Sequence, residues 1–403
     1  MNSHTTTVVS VATSNHLPLA LALYESVRRH NKGILFHLVL VDRSGEYTFL
    51  EKGRPELRIV NPECFEIPRW KRFVFQYDAT GLCCALKAWC VSHFLRAGFD
   101  NVVYLDADIQ VYGTLEPIFE LLADHSFLLT PHVADMPLAD GKRPTAESIR
   151  LAGVFNGGFM AARLGASERF LEWLKLAVAE NCIKSMRSGL LYDQTFLPQA
   201  CGLVEDLGMV IGPGYNVAYW NLHERTLEES SEGVWTVNGE PLKFFHFSGM
   251  PLSGALTLSR HQDRIQIAPG SPLEKLVVEY RSAVAKIAAE RDYPGTYLYS
   301  DMSDGTTIKP SWRECVRLAL DPLESLENPF TADRKQQDRL DEAARHDRVV
   351  GRLFDPFADT DFDKHYHVVL NELQEYRDRF DRLHRRPVRT ALGWLWRRIG
   401  RRN

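Results

Sequence analysis

Two aspartates, Asp106 and Asp108, follow an apolar run at residues 102–105 and are separated by one residue. A run of β-branched and aromatic residues is typical of a buried strand, and open α/β sheets bind ligands at the carboxyl ends of their strands. In an extended segment both side chains point to the same side. Converging carboxylates repel unless a cation lies between them, and oxygen ligands suit a hard divalent cation. The pair predicts a metal site able to hold a diphosphate; the alternative is a pair that only caps a helix or holds a turn.

Several other polar residues have the chemistry to complete such a site. His246 follows two phenylalanines in a predicted strand, and imidazole suits manganese-type ions. The glycines of the 156–158 segment interrupt a strand, and such glycines often let a ligand approach the backbone. Asp193 and Gln194 provide a carboxylate and an amide, which hold sugar hydroxyls well. Lys87 lies in an apolar helix and is placed to neutralise a phosphate, although most lysines are solvated.

The elements that would position these residues alternate between strand and helix. Strands are predicted at residues 7–13, 36–41, 102–105 and 154–160, and helices at 17–29, 81–95 and 168–179. Alternation of this kind indicates an α/β fold with a mostly parallel sheet covered by flanking helices. Beyond about residue 270 the sequence becomes charged and helical. We therefore predict a main domain over residues 1–270, a helical extension over 271–355 and a third segment over 356–403.

The composition is that of an ordinary globular protein, with 45% hydrophobic and 25% charged residues and a net charge of −4. This charge gives no case for nucleic-acid binding. The seven cysteines are odd in number and form no CxxC pair, which fits a reducing compartment and argues against a zinc site. The N-terminus shows no signal-peptide pattern, and no apolar stretch approaches the length of about 20 residues that spans a bilayer. These features predict a cytoplasmic protein.

The last segment has two separate patterns. An apolar stripe over residues 366–383 has coiled-coil spacing, typical either of a helix docked on its own domain or of a homodimer seam. From Arg385 onward there are seven arginines and no acidic residue. Residues 388–399 place apolar side chains on one helical face, flanked by Trp394 and Trp396. A basic amphipathic helix with tryptophans suits an anionic membrane surface; the alternatives are a helix packed on the body and a frayed tail.

Five motifs, taken in order and spacing, resemble those of bacterial GT-A-fold glycosyltransferases. They are YLDADIQVYG, FNGGFMA, the DQ dipeptide, PGYNVAYWNLHER and FFHFSG. The resemblance is to the family 8-like group that includes glycogenin-type and lipopolysaccharide sugar transferases, and it covers roughly residues 5–270. Several motifs in order are more specific than any one of them. The resemblance implies a GT-A, Rossmann-like fold, a nucleotide-sugar donor, Mn²⁺ or Mg²⁺, and retention at the anomeric carbon.

Carried over position by position, the resemblance assigns roles to particular residues. It implies that Asp106, Asp108 and His246 bind the metal, with Asp106 also on the nucleotide side. The implied donor-binding residues are Thr13, Asn15, Lys87, Asp106, Asn156 and Gly157, and those beside the reacting carbon are Asp193 and Gln194. One departure is clear: the family continues from its histidine to a lysine, whereas Met250 and two further apolar-type residues follow HFSG here. Diphosphate contact would then fall to Lys87 or Arg260.

The sequence thus predicts a hexosyltransferase that moves a sugar from a nucleotide-sugar, a UDP-sugar by resemblance, to a glycan or lipid-linked acceptor of the cell envelope. The basic tail would hold it at the inner face of the cell membrane. One alternative is a catalytically silent, membrane-associated scaffold or glycan-binding protein of the same fold. The other is a sugar-1-phosphate nucleotidyltransferase, which residues 13–16 disfavour because they contain neither glycine nor lysine.

Overall fold

The computed structural model describes residues 5–137, 139–185, 189–293, 295–318, 323 and 325–353. These residues belong to two compact units: Met1–Ile308 with Glu327–Thr331, and Lys309–Leu326 with Ala332–Asn403. The sequence-based boundaries at residues 270 and 355 stay predictions. The stripe at 366–383 and the basic tail lie outside the described residues.

The strands of the described residues are β1 Thr6–Ala12, β2 Leu35–Leu40, β3 Leu57–Val60, β4 Asn101–Leu105, β5 Ile109–Val111, β6 Phe127–Pro131, β7 Phe155–Arg163, β8 Lys184–Ser185, β9 Leu190–Leu191, β10 Leu207–Met209, β11 Leu227–Glu229, β12 Trp235–Val237, β13 Glu240–Pro241 and β14 Phe244–His246. The helices are α1 Leu17–His30, α2 Trp70–Phe75, α3 Ala79–Arg96, α4 Glu116–Asp124, α5 Ala146–Ala152, α6 Ser167–Asn181, α7 Ala200–Leu203, α8 Pro272–Ala288, α9 Pro310–Arg317 and α10 Arg334–Leu353.

The core of the first unit is a seven-stranded sheet of order β10-β6-β7-β4-β1-β2-β3. Strand β7 runs antiparallel to both β4 and β6, while the other neighbouring pairs are parallel. The predicted α/β fold with a mostly parallel sheet and flanking helices is therefore confirmed. The antiparallel β7 matters for function, because its amino end lies at the same sheet edge as the carboxyl ends of β1 and β4.

The central strands are buried on both faces. All of β4 and the residues of β7 from Phe155 to Ala162 are buried, and successive residues of a strand point to opposite faces. Such strands are near-continuous apolar runs, as expected for a sheet covered on both sides. Helix α3 packs against β1, β4 and α6. Its N-cap is Asp78, whose side chain accepts a hydrogen bond from the Gly81 N–H and so satisfies one free donor of the first turn.

Outside the main sheet, β5 pairs antiparallel with β14. Helix α8 follows β14 in the chain and packs close to its end. Helix α8 packs against α1, and the Tyr280 ring stacks on Phe247 with ring centroids 3.7 Å apart. This stacking anchors the end of β14.

The second unit is helical where it is described, as the sequence predicts for the C-terminal part. Helices α9 and α10 pack together, and Asp341 accepts hydrogen bonds from Lys309 Nζ (2.7 Å) and Trp312 Nε1 (2.6 Å). No helix of the described residues is both long and apolar enough to cross a bilayer.

Candidate active site

Asp106 and Asp108 lie in a tight turn at the end of β4. Strand β4 ends at Leu105, and the Ile109 N–H donates to the Asp106 carbonyl over 3.0 Å. The prediction that the two aspartates share one side of an extended segment is therefore wrong in its geometry. The turn is fixed from outside: the Asp106 N–H donates to the Gly158 carbonyl (2.9 Å), and the Asp108 carbonyl accepts from the Phe247 N–H (2.9 Å). The carboxylates converge because of this turn.

His246 reaches the aspartates through the pairing of β14 with β5. In that register His246 lies opposite Ile109, the residue that follows Asp108. The imidazole is buried, and its Nε2 lies 3.0 Å from Asp108 Oδ1. One side-chain ligand atom each of Asp106, Asp108 and His246 lies within 4.8 Å of the others. The structure thus brings together the three residues that the sequence places on a metal.

This group of three residues has the donor set of a divalent cation site. Two carboxylates and one imidazole suit Mn²⁺ and Mg²⁺. Oxygens bound to one Mg²⁺ at about 2.1 Å lie up to about 4.2 Å apart, so small side-chain movements would close the cluster around an ion. The Asp108–His246 contact is already at hydrogen-bond distance, so an ion at this place would displace the proton between them.

Lys87 lies beneath the aspartates and is fully enclosed. Its side chain is 4% exposed, and its Nζ lies 3.0 Å from Asp106 Oδ1 and 3.5 Å from Asp193 Oδ2. It also donates to the Gly157 carbonyl over 2.8 Å. Burial would lower the pKa of Lys87, but the charges of Asp106 and Asp193 raise it well above its ordinary value. The lysine is therefore a fixed positive charge that joins two carboxylates. The prediction that it contacts the donor stays a prediction.

Asp193 opens a short 3₁₀ turn, Asp193–Thr195, and is 3% exposed. Among the described residues no hydrogen-bond donor reaches its Oδ2; Lys87 is its nearby cation. Burial raises the pKa of Asp193, Lys87 opposes that rise, and the net shift is upward. Gln194 lies beside it, with its Oε1 3.5 Å from the Gly157 N–H. The structure therefore places a buried carboxylate next to Asp106, with Lys87 as the cation between them.

The two glycines of the 156–158 segment are needed for these side chains to pack. A Cβ on Gly157 would lie 2.6 Å from Asp193 Oδ2, and one on Gly158 would lie 2.7 Å from His246 Nδ1. Both distances are far below ordinary contact. In this structure the space that the glycines leave is occupied by Asp193 and His246, whereas the sequence alone suggests an approaching ligand.

Thr13 and Asn15 lie at the carboxyl end of β1, which pairs in parallel with β4. Their side chains both contact His16, with Nδ1 distances of 2.8 Å for Thr13 Oγ1 and 3.2 Å for Asn15 Oδ1. Burial lowers the pKa of His16, and the charge of Asp108 opposes this.

Sequence reasoning missed His16 and also Asp42, whose carboxylate accepts from the Ser14 N–H (2.6 Å) and hydroxyl (3.0 Å). Both follow predicted strands, which is the signal that would have found them.

Residues of the 213–225 motif contact the His246 ring on the side away from the aspartates. The Trp220 ring meets His246 edge-on at 5.1 Å between centroids, and Asn221 is wholly buried. Asn216 was not singled out from the sequence, yet its Oδ1 lies 3.3 Å from His246 Nδ1. His223 belongs to the same motif, and its Nε2 lies 2.8 Å from the Asp135 carbonyl oxygen. Arg260 is exposed, and its backbone N–H donates to the Gly249 carbonyl over 3.1 Å, which places it beside the HFSG turn.

Comparisons with known proteins give similar proteins but no family assignment. No protein-family profile matches the sequence. The uncharacterized protein YfnF of Bacillus subtilis (strain 168) is 24% identical over 249 residues, which cover 61% of this chain and 82% of YfnF.

Several solved structures of glycosyltransferases are similar to this chain. The galactosyltransferase LgtC, in complex with donor and acceptor sugar analogues, has 16% identity and a TM-score of 0.41, over 69% of this chain and 95% of LgtC. The glycosyltransferase GlyE of Streptococcus pneumoniae TIGR4 has 15% identity and a TM-score of 0.38, over 72% and 64%. Mouse xyloside xylosyltransferase 1 has 14% identity and a TM-score of 0.38, over 60% and 97%. TM-scores this low do not assign a function.

Proposed function

We propose that this protein is a metal-dependent glycosyltransferase. It would move a hexose from a nucleotide-sugar, in the first instance a UDP-sugar, to a glycan or lipid-linked acceptor, with retention at the anomeric carbon. The observation that carries the proposal is the convergence of Asp106, Asp108 and His246 at the ligand-binding edge of the sheet. Lys87 joins Asp193 to this cluster, since its Nζ forms ion pairs with both Asp106 and Asp193. This edge is where open α/β folds bind nucleotides, and the ordered motifs of the sequence support the same reading.

Asp106, Asp108 and His246 would hold a Mn²⁺ or Mg²⁺ ion. When bound, that ion supplies positive charge to the donor diphosphate and so stabilises the negative charge of the leaving group. Thr13 and Asn15, at the end of β1, would contact the nucleotide. Asn156 and Gly157, carried over from the resemblance, would line the donor sugar from the start of β7.

The reaction itself would take place beside Asp193. The bond between the anomeric carbon and the diphosphate breaks with its electron pair leaving on the nucleoside diphosphate. The acceptor oxygen bonds to that carbon, and its proton passes to an oxygen of the leaving diphosphate. Positive charge develops on the sugar. Asp193 Oδ2 accepts no hydrogen bond among the described residues and has Lys87 as its counter-ion at 3.5 Å. Its negative charge would stabilise this state. Gln194 would position the sugar, and Lys87 would keep Asp193 ionised.

The direct test is a panel of nucleotide-sugars assayed for hydrolysis and transfer with Mn²⁺, Mg²⁺ or a chelator. We expect one donor to turn over only with metal, and Asp108→Asn to lose about 100-fold or more of that activity, the scale on which single electrostatic groups act. Asp100→Asn is the matched control, since Asp100 precedes β4 at its opposite end and bonds to the Thr5 N–H (2.7 Å).

Full turnover in Asp108→Asn would contradict the proposed role of this carboxylate. Metal-independent binding of sugars without any turnover would favour a glycan-binding scaffold. Release of diphosphate from a nucleoside triphosphate and a sugar phosphate would favour a nucleotidyltransferase. The anomeric configuration of the product, read by proton NMR, tests retention separately.

We also propose that the basic C-terminal sequence brings the enzyme to the inner face of the cell membrane, where lipid-linked acceptors are assembled. The support is compositional: seven arginines and two tryptophans occur in the last 19 residues, without an acidic residue. Such a segment gains binding energy from anionic headgroups and from insertion of its apolar face.

A further inference from the structure

A row of buried polar side chains lies directly behind His246. His246 Nδ1 lies 3.3 Å from Asn216 Oδ1, Asn216 Nδ2 donates to Asn156 Oδ1 over 3.1 Å, and Asn156 Nδ2 lies 3.3 Å from His132 Nε2. The row ends where His132 Nδ1 meets the Gly153 carbonyl at 2.8 Å. All four side chains belong to buried residues, with Asn216 wholly enclosed. We refer to His132, Asn156 and Asn216 as the relay.

The direction of every hydrogen bond in the relay is fixed by two backbone groups. The Gly158 N–H can only donate, and it donates to Asn156 Oδ1 over 3.0 Å, so that atom of Asn156 is the oxygen. The Gly153 carbonyl can only accept, so the proton of His132 is on Nδ1 and its Nε2 accepts from Asn156. Burial lowers the pKa of His132 to about 4, which keeps that ring neutral at pH 7.

The same donor and acceptor order fixes which nitrogen of His246 carries a proton. Because Asn156 Oδ1 accepts, Asn216 presents its NH₂ group to Asn156 and its oxygen to His246. That oxygen requires a proton on His246 Nδ1. His246 Nε2 is the atom that faces Asp108 at 3.0 Å. Once a cation displaces the proton between these two atoms, the lone pair of Nε2 is therefore the one that binds the cation.

We propose that the relay is a positioning device for the metal ligand His246: it fixes the Nδ1-protonated tautomer and aims Nε2 at the ion. The inference rests on the metal site proposed above. It also gives Asn156 a task distinct from lining the donor sugar, since both atoms of its amide are already used within the relay. Partners behind a metal-bound histidine hold the ring orientation and raise its basicity, and their loss typically weakens metal binding about 10- to 100-fold.

Asn216 allows a clean test because its backbone has φ 47°, a conformation that glycine adopts freely. Asn216→Gly therefore removes the amide without backbone strain. Asn216→Asp keeps an oxygen to accept from His246 Nδ1 but cannot donate to Asn156. Asn31→Ala is the matched control: Asn31 is a buried asparagine whose Oδ1 accepts from the Leu115 N–H over 2.7 Å, outside the relay.

The measurements are the Mn²⁺ dissociation constant, by calorimetry on the full chain, and the thermal midpoint of unfolding without metal. We expect Asn216→Gly to bind Mn²⁺ about 10- to 100-fold more weakly, and Asn216→Asp to stay within about threefold of the wild type. Asn216→Asp should nevertheless lower the thermal midpoint, because its carboxylate faces Asn156 Oδ1. Asn31→Ala should lower the midpoint and leave the Mn²⁺ affinity unchanged. A relay that only stabilised the fold would weaken affinity in step with stability.

Two results would overturn the inference, and they are distinguishable. If the wild type binds Mn²⁺ and Asn216→Gly binds it equally well, the relay has no positioning role while the metal site stands. If the wild type binds no Mn²⁺ even with the nucleoside diphosphate present, the metal site and the relay both fail.

Discussion

Gly158→Ala is the smallest change that should disable the site, since it adds one methyl group. A Cβ at position 158 would lie 2.7 Å from His246 Nδ1 and 2.8 Å from Asn156 Oδ1, where ordinary contact begins at 3.4 Å. The new methyl group would overlap His246 Cε1 even more closely, so the imidazole would have to move by about 1 Å from its position beside Asp108. Overpacking of this kind costs about 1–3 kcal/mol of stability. Misplacement by about 1 Å costs about 100-fold in rate.

The assay is Mn²⁺ affinity together with metal-dependent hydrolysis of the donor found in the panel. Gly202→Ala is the control, because Gly202 lies in α7 with no atom within 4 Å of a new Cβ. That change should stabilise the protein by about 0.5–1 kcal/mol and leave activity unaltered. If Gly158→Ala retained the Mn²⁺ affinity and turnover of the wild type, His246 would not be held against β7 as described, and our account of the site would be refuted.

Two further predictions concern stability and location. Burial, with the charges of Arg58 and His93, lowers the pKa of His37 from 6.5 to about 4; as pH falls through this range the unfolded chain gains a proton that the folded protein does not. The free energy of unfolding should therefore drop by about 3 kcal/mol between pH 6.5 and 4, and chemical denaturation of His37→Gln should lack this part of the drop. If His37→Gln showed the same pH dependence of stability as the wild type, the role given to His37 would be wrong. Deletion of residues 387–403 should release the protein from membrane fractions while donor hydrolysis persists; sedimentation of the truncated protein with membranes would show that the tail is not the anchor.

The local patterns of the sequence predicted much of the sheet and the chemistry at its edge. The apolar runs that became β1, β2 and β4, and the helices between them, follow from burial and periodicity over a few neighbouring residues. The aspartates were placed at a strand end for the same reason. The turn that joins them was not predicted, because it is held by the Gly158 carbonyl and the Phe247 N–H, which lie far away along the chain.

The amino-acid sequence by itself determined which residues have the chemistry of the site: two carboxylates after a buried strand, a histidine after aromatics, and a carboxylate–amide pair. Only the tertiary structure decided how they meet. The antiparallel course of β7 brings the glycines to the edge shared by β1 and β4, and the register of β14 places His246 opposite Ile109. Burial in the folded protein decides the contacts of Lys87 and Asn216, because a charge or an amide removed from water must be paired with other polar groups. Strand direction and register depend on packing between distant segments, which no local pattern records.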